Sequence, residues 1–277
     1  MSNNYKMKLP DMAYKCATQY KEVIKEIQDI YINNNSKHLA FLNIYPQLFF
    51  NKRNDENVIL EIGVRNGEGT KSLVEVFPNS YIYCIEIGGL KRPPNCPAWT
   101  PEFEKNNILK KINNIKNNKG TPNVIIGDQA DEGLLIKLGE EIKKKYGGFD
   151  IVIDDGGHTM HQQQTTLKIL SNYMKENSLY FIEDTCTSYY PDYGGGSIGT
   201  KNTTIDLFKS IIDVLHRDYH NTRDKYNKVI PKNKQKKSNY SIVNNDHNIR
   251  SIEIYKEGCL IKYGYNLCYN YNENNQL

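Results

Sequence analysis

A chain of 277 residues, 38% hydrophobic and 25% charged, can bury one full core with room for an appendage. A mean hydropathy of -0.67, with no apolar run of bilayer length, excludes a membrane-spanning helix and predicts a soluble protein. The net charge of +4 is only mildly basic. Nucleic acid is therefore the weaker class of partner, and the densest basic stretch, 225–237, reads more simply as a solvated loop.

The N-terminal residues 1–20 are polar and lack the apolar core of a signal peptide. Six cysteines without a CxxC pair fit a reducing compartment, so a cytoplasmic location is expected. Cys84 and Cys259 fall in apolar runs and should be small buried hydrophobes.

In chain order, a helix is predicted over 12–32, where Ala13, Cys16, Tyr20, Val23, Ile24, Ile27 and Ile30 recur at helical spacing. A second helical segment, 39–50, should be interrupted at Pro46, and a polar loop, 51–57, leads into the main domain. Strands are then predicted over 58–62, 81–87, 123–126, 151–153 and 179–182. Helices over 69–77, 101–115, 131–146 and 162–175 separate them. That alternation implies βαβ units and a parallel sheet. A Pro-rich loop, 91–101, carries the only tryptophan, Trp99. Beyond the fifth strand come a Gly/Tyr-rich loop over 185–200 and a helix over 204–219. A terminal β-hairpin follows, with arms 251–255 and 259–263 around Lys256-Glu257-Gly258. The Asn-rich tail after Tyr269 should be disordered.

Two acidic clusters each close an apolar strand: Asp154-Asp155-Gly156-Gly157-His158 and Glu183-Asp184. Parallel strands place both at carboxyl ends of one sheet, where ligands of open α/β sheets bind. Carboxylates beside an imidazole suit a hard divalent metal with a general base next to it. Simpler readings stay open here. Asp154 or Asp155 could cap the next helix, and His158 could be an ordinary first-turn residue. His161 competes weakly for the base role. Glu183 and Asp184 are neighbours in sequence and point to opposite faces of a continuing strand, so both reach one metal only if the backbone turns.

The segment Glu61-Ile62-Gly63-Val64-Arg65-Asn66-Gly67-Glu68-Gly69-Thr70 links the first strand to the first helix. Its E-x-G-x-x-x-G spacing resembles the first motif of class I S-adenosylmethionine-dependent methyltransferases. The resemblance implies cofactor contacts from Glu61, Gly63, Gly67 and Thr70. It implies Glu86 as the carboxylate for the ribose hydroxyls, Asp128 or its neighbour Gln129 at the adenine, and Asp154 as a further cofactor-binding position.

The later motifs are more specific. D-D-G-x-H, then I-E-D-x-x-T-S-Y through Tyr189, then Y-G-G from Tyr193 are similar to metal-dependent sugar O-methyltransferases that act on macrolide antibiotics. That likeness runs over 45–263 and implies Asp155, Glu183 and Asp184 as magnesium ligands. It implies His158 as the general base that takes the proton from a sugar hydroxyl. Tyr189, Tyr190 and Tyr193 are expected in a mobile aromatic lid, and 93–99 either in a second wall or in a plain surface loop.

The expected architecture is α/β: a Rossmann-like class I methyltransferase sheet with helices on both faces. It comprises an N-terminal helical extension (1–54), the methyltransferase domain with its C-terminal β-hairpin (55–269) and a tail (270–277). The expected function is magnesium-dependent O-methylation, by S-adenosylmethionine, of a sugar or glycosylated small molecule. The acceptor is thus a small molecule or glycan, with no membrane partner. A nucleic-acid methyltransferase and a non-catalytic binding protein are the alternatives. The N-terminal helices either form a homo-oligomer interface or cover the sheet of their own chain.

Overall fold

Strand β1 (Val58–Ile62) is buried at every position, as a strand covered on both faces must be. The computed structural model describes residues 9–37, 40–88, 102–216, 223, 226–231, 234, 242–243 and 246–264. The loop 91–101, parts of 225–237 and the tail lie outside them. β1 pairs in parallel with β2 (Tyr81–Glu86) and β4 (Phe149–Asp154). On the outer sides β3 (Asn123–Ile126) pairs with β2 and β5 (Met174–Glu183) with β4. The hairpin of β6 (Ile249–Ile254) and β7 (Gly258–Tyr263) adds antiparallel strands, giving the order β3-β2-β1-β4-β5-β7-β6. The order reverses direction between β1 and β4, and a crevice opens at such a switch point.

Side-chain alternation divides the core in two. Val58, Leu60, Ile62 and Val152 face Leu135, Leu138, Leu167 and Phe208, which come from α5 (Glu132–Tyr146), α6 (Met160–Leu170) and α7 (Thr204–Leu215). Ile59, Ile151, Ile153 and Phe181 face the other way. There they meet Ile27 and Tyr31 of α1 (Leu9–Asn33), Tyr45 and Phe49 of α2 (Tyr45–Phe49), Leu73 of α3 (Glu68–Val76) and Ile112 of α4 (Glu102–Asn113). The N-terminal helices thus cover the sheet of their own chain. Tyr45 stacks on Phe49 at 5.0 Å and meets Phe181 edge-on at 5.4 Å. Among the described residues no helix is long and apolar enough to cross a membrane.

Most predicted elements lie within a residue or three of the observed ones. Two differ for physical reasons. Pro46 lies in the first turn of α2 instead of interrupting a helix, because its missing N–H is harmless there. The helix predicted over 162–175 stops at Leu170, passes through a 3-10 turn (Ser171–Tyr173) and gives way to β5. Ser171 Oγ donates back to the Leu167 carbonyl at 2.6 Å and lies 2.8 Å from the Tyr263 hydroxyl. Met174 then pairs with Phe149. Tertiary pairing overrides the helical periodicity there.

Gly139 on α5 shows how closely this layer packs, since a Cβ there would lie 2.3 Å from the Tyr173 ring. Gly139→Ala should lower stability by about 1–3 kcal/mol, read from the urea unfolding midpoint. An unchanged midpoint would mean that the ring gives way freely.

Candidate active site

The turn after β1 is built on left-handed glycines. Gly63 has φ +89° and Gly67, the N-cap of α3, has φ +86°. A Cβ on Gly63 would stand 2.0 Å from the Asp155 carbonyl oxygen, so the glycine lets the β1 and β4 loops touch. Glu86, at the end of β2, reaches across this turn. One carboxylate oxygen accepts the Val64 and Arg65 N–H groups at 2.8 and 2.9 Å, and the other accepts that of Gly88 at 3.1 Å.

Glu61 lies beneath the turn, where the Thr70 hydroxyl donates to it at 2.5 Å and Gly69 leaves room for its other oxygen. These two predicted cofactor residues thus bond to each other inside the core. Burial pushes the Glu61 carboxyl up to about 7, against the pull of Lys37 and Thr70. In the unfolded chain the same group titrates near 4.5. The folded state binds the extra proton between those values, so stability falls as pH rises from about 4.5 to about 7. Glu61→Gln should flatten that part of the stability–pH curve and gain up to about 3 kcal/mol at pH 8. Parallel curves for the two proteins would show that Glu61 is ionised throughout.

A second buried network joins the ends of β3 and β4. Gln129 donates to Asp154 Oδ1 at 2.9 Å and to Thr166 at 3.3 Å, and accepts the Gly157 N–H at 2.6 Å. Asp154 is fully buried and its Oδ2 has no partner among the described residues; burial pushes its carboxyl up to about 7, with Gln129 opposing. Asp128 accepts the Ala130 N–H at 2.9 Å and a long bond from Gln162 at 3.4 Å. The helix cap is Thr159, whose side chain accepts the Gln162 N–H. Neither Asp154 nor Asp155 is spent as a cap.

Asp155 and Glu183 face the other side of the sheet, and between them lies Lys37. Its ammonium is 2.6 Å from Asp155 Oδ2 and 2.5 Å from Glu183 Oε1. The Tyr45 hydroxyl donates to the same Glu183 oxygen. The Lys37 ammonium also sits 5.6 Å from the Tyr45 ring centre and 6.0 Å from that of Phe41. Burial works against its charge, yet Glu183 and Asp155 hold it well above the ordinary lysine range.

Asp184 takes φ +52°, ψ +36°, so the chain does turn after Glu183. That turn brings Asp184 Oδ2 to 3.4 Å from His158 Nε2, with Asp155 Oδ1 at 3.9 Å from the same nitrogen. Burial raises the Asp184 carboxyl, with His158 opposing and Asp155 adding. His158 precedes α6 and has φ +59°, so it is not a first-turn residue. Thr187 Oγ1 contacts the His158 and Asp184 carbonyls at 2.9 and 2.8 Å. This ties the tyrosine loop to the histidine. That loop forms 3-10 turns (Thr185–Tyr189 and Pro191–Tyr193), with Tyr189 and Tyr190 about half exposed. His161 lies within α6, near Thr165.

Asp155, His158 and Asp184 offer ligand atoms within 4.8 Å of one another, and Glu183 joins them through Asp155 and Lys37. The donor set is hard oxygen with one imidazole, which suits magnesium. The cluster already holds a cation, the Lys37 ammonium, between two of its carboxylates.

The fold has counterparts among solved structures. The MycE methyltransferase from the mycinamycin biosynthetic pathway, in complex with Mg, SAH and mycinamycin VI, superposes with a TM-score of 0.62. The match has 23% identity and covers 87% of this chain and 55% of that one. This is a class I methyltransferase fold. In sequence, the chain is similar to demethylmacrocin O-methyltransferase of Streptomyces fradiae, 31% identical over 179 residues. It also matches 8-demethyl-8-(2-methoxy-alpha-L-rhamnosyl)-tetracenomycin-C 3'-O-methyltransferase of Streptomyces olivaceus, 42% identical over 92 residues. Those matches cover 62% and 32% of this chain, and 38% and 23% of the relatives. The chain spans well under half the length of the curated relatives it matches. No family model matches it.

Lys37 and Tyr45 escaped the sequence reading. Lys37 is 118 residues from Asp155 and 146 from Glu183, and nothing in its local sequence marks it. A buried carboxylate set of this size does call for a cation somewhere, which is the only signal available. Cys84 and Cys259 are free and buried, as expected.

Proposed function

We propose that the protein is a magnesium- and S-adenosylmethionine-dependent O-methyltransferase acting on a hydroxyl of a sugar or glycosylated small molecule. The observation that carries this reading is the convergence of Asp155, Asp184 and His158 beside the Gly63 turn. The rhamnosyl acceptor in the name of one relative supports a sugar.

S-adenosylmethionine would supply the methyl group, and magnesium would make the acceptor hydroxyl more acidic. The Gly63–Gly67 turn, Glu86 and the Asp128–Gln129 corner would hold the nucleoside, with Asp154 fixing Gln129 from below. Asp155, Glu183 and Asp184 would hold the metal. His158 Nε2 takes the proton from the acceptor oxygen, and Asp155 and Asp184 stabilise the imidazolium that forms. Tyr189 and Tyr190 offer aromatic faces on which a sugar ring packs.

The test is an acceptor screen over glycosides, nucleotide sugars and oligosaccharides, following S-adenosylhomocysteine release. Methylation of at least one sugar, lost in EDTA and restored by magnesium, is expected. Turnover on RNA or DNA alone would replace the reading with that of a nucleic-acid methyltransferase.

A further inference from the structure

Lys37 fills the space between Asp155 and Glu183 that a cation bound by both would need. The Lys37 side chain is only 6% exposed, and that of Glu183 is 2% exposed with one oxygen accepting from both Lys37 and Tyr45. Asp184, by contrast, opens toward His158 and is 40% exposed. The ammonium thus holds two of the carboxylates, while Asp184 meets Asp155 and His158 on the open side of the cluster. The backbone before Lys37 is fixed, because the Ser36 hydroxyl lies 2.7 Å from that of Ser72 and the Ser36 N–H donates to the Tyr31 carbonyl. Movement would thus fall to the lysine side chain.

We propose that Lys37 is an internal cation that competes with the divalent metal for Asp155 and Glu183. In the metal-free protein it holds the carboxylates together and offsets their repulsion. Metal entry expels the ammonium, so the metal's apparent affinity is set partly by the ion pairs that Lys37 gives up. This inference rests on the magnesium reading above. Without the ammonium the cluster carries one more uncompensated negative charge, so divalent binding strengthens.

The test uses the whole chain. Titration of magnesium into wild type and Lys37→Met, by calorimetry with S-adenosylhomocysteine present, should show binding tighter by about tenfold or more in the variant. In parallel, wild-type protein is acetylated with and without magnesium, and the Lys37 peptide is read by mass spectrometry. Acetylation of Lys37 should rise with the metal as the amine leaves its burial. Equal or weaker binding in the variant, or acetylation unmoved by magnesium, would overturn the competition. If Lys37→Met fails to fold, the acetylation of wild type decides alone. Should neither protein bind magnesium while both bind S-adenosylhomocysteine, the magnesium reading itself falls, and the competition with it.

Discussion

His158→Asn should reduce kcat by about 10²–10⁴, the range for losing a general base, while S-adenosylhomocysteine binds as before. Asparagine is the informative replacement because it tolerates the left-handed backbone that His158 adopts at φ +59°. The Thr187 bond to the residue 158 carbonyl then survives, and the tyrosine loop keeps its anchor. Loss of rate with intact cofactor binding separates a proton-transfer role from a structural one. A variant within about threefold of wild type would remove His158 as the base.

Gly63→Ala should weaken S-adenosylhomocysteine binding by about 30-fold or more. Two costs combine: a side chain at φ +89°, and a Cβ placed 2.0 Å from the Asp155 carbonyl oxygen. Each is worth about 1–3 kcal/mol. The second pushes apart the loops that carry the Gly63–Gly67 turn and Asp155. Gly120→Ala is the control, since Gly120 also has positive φ, at +110°, but nothing among the described residues lies within 4 Å of its Cβ position. It should cost stability and leave cofactor affinity unchanged. Equal affinity losses in both variants would reduce the Gly63 effect to backbone strain alone.

The fold was largely legible because its strands are buried on both faces and its turns carry glycine. β1 and β3 coincide with the predicted 58–62 and 123–126, since apolar runs bounded by polar turns leave little latitude. β5 was read short. Met174–Glu176 gains its strand character from pairing with Phe149, and Asn177 at φ +59° breaks the apolar run. Local sequence carries no record of that pairing.

The site was legible in residue type and illegible in partnership. The acids and the histidine cluster where predicted, at the ends of β4 and β5. The roles of Glu61 and Thr70 look different once their mutual bond is seen. Lys37 and Tyr45 come from the N-terminal segment, which the sequence offers as either interface or cover. As cover, it delivers a cation into the acidic cluster, and only long-range packing determines that.

The most direct test of the central claim is calorimetric titration of S-adenosylhomocysteine into the purified protein, in magnesium and again in EDTA. One nucleoside bound per chain in both conditions is predicted, together with a single magnesium site that Asp184→Ala abolishes. No S-adenosylhomocysteine binding in either condition would contradict the methyltransferase reading.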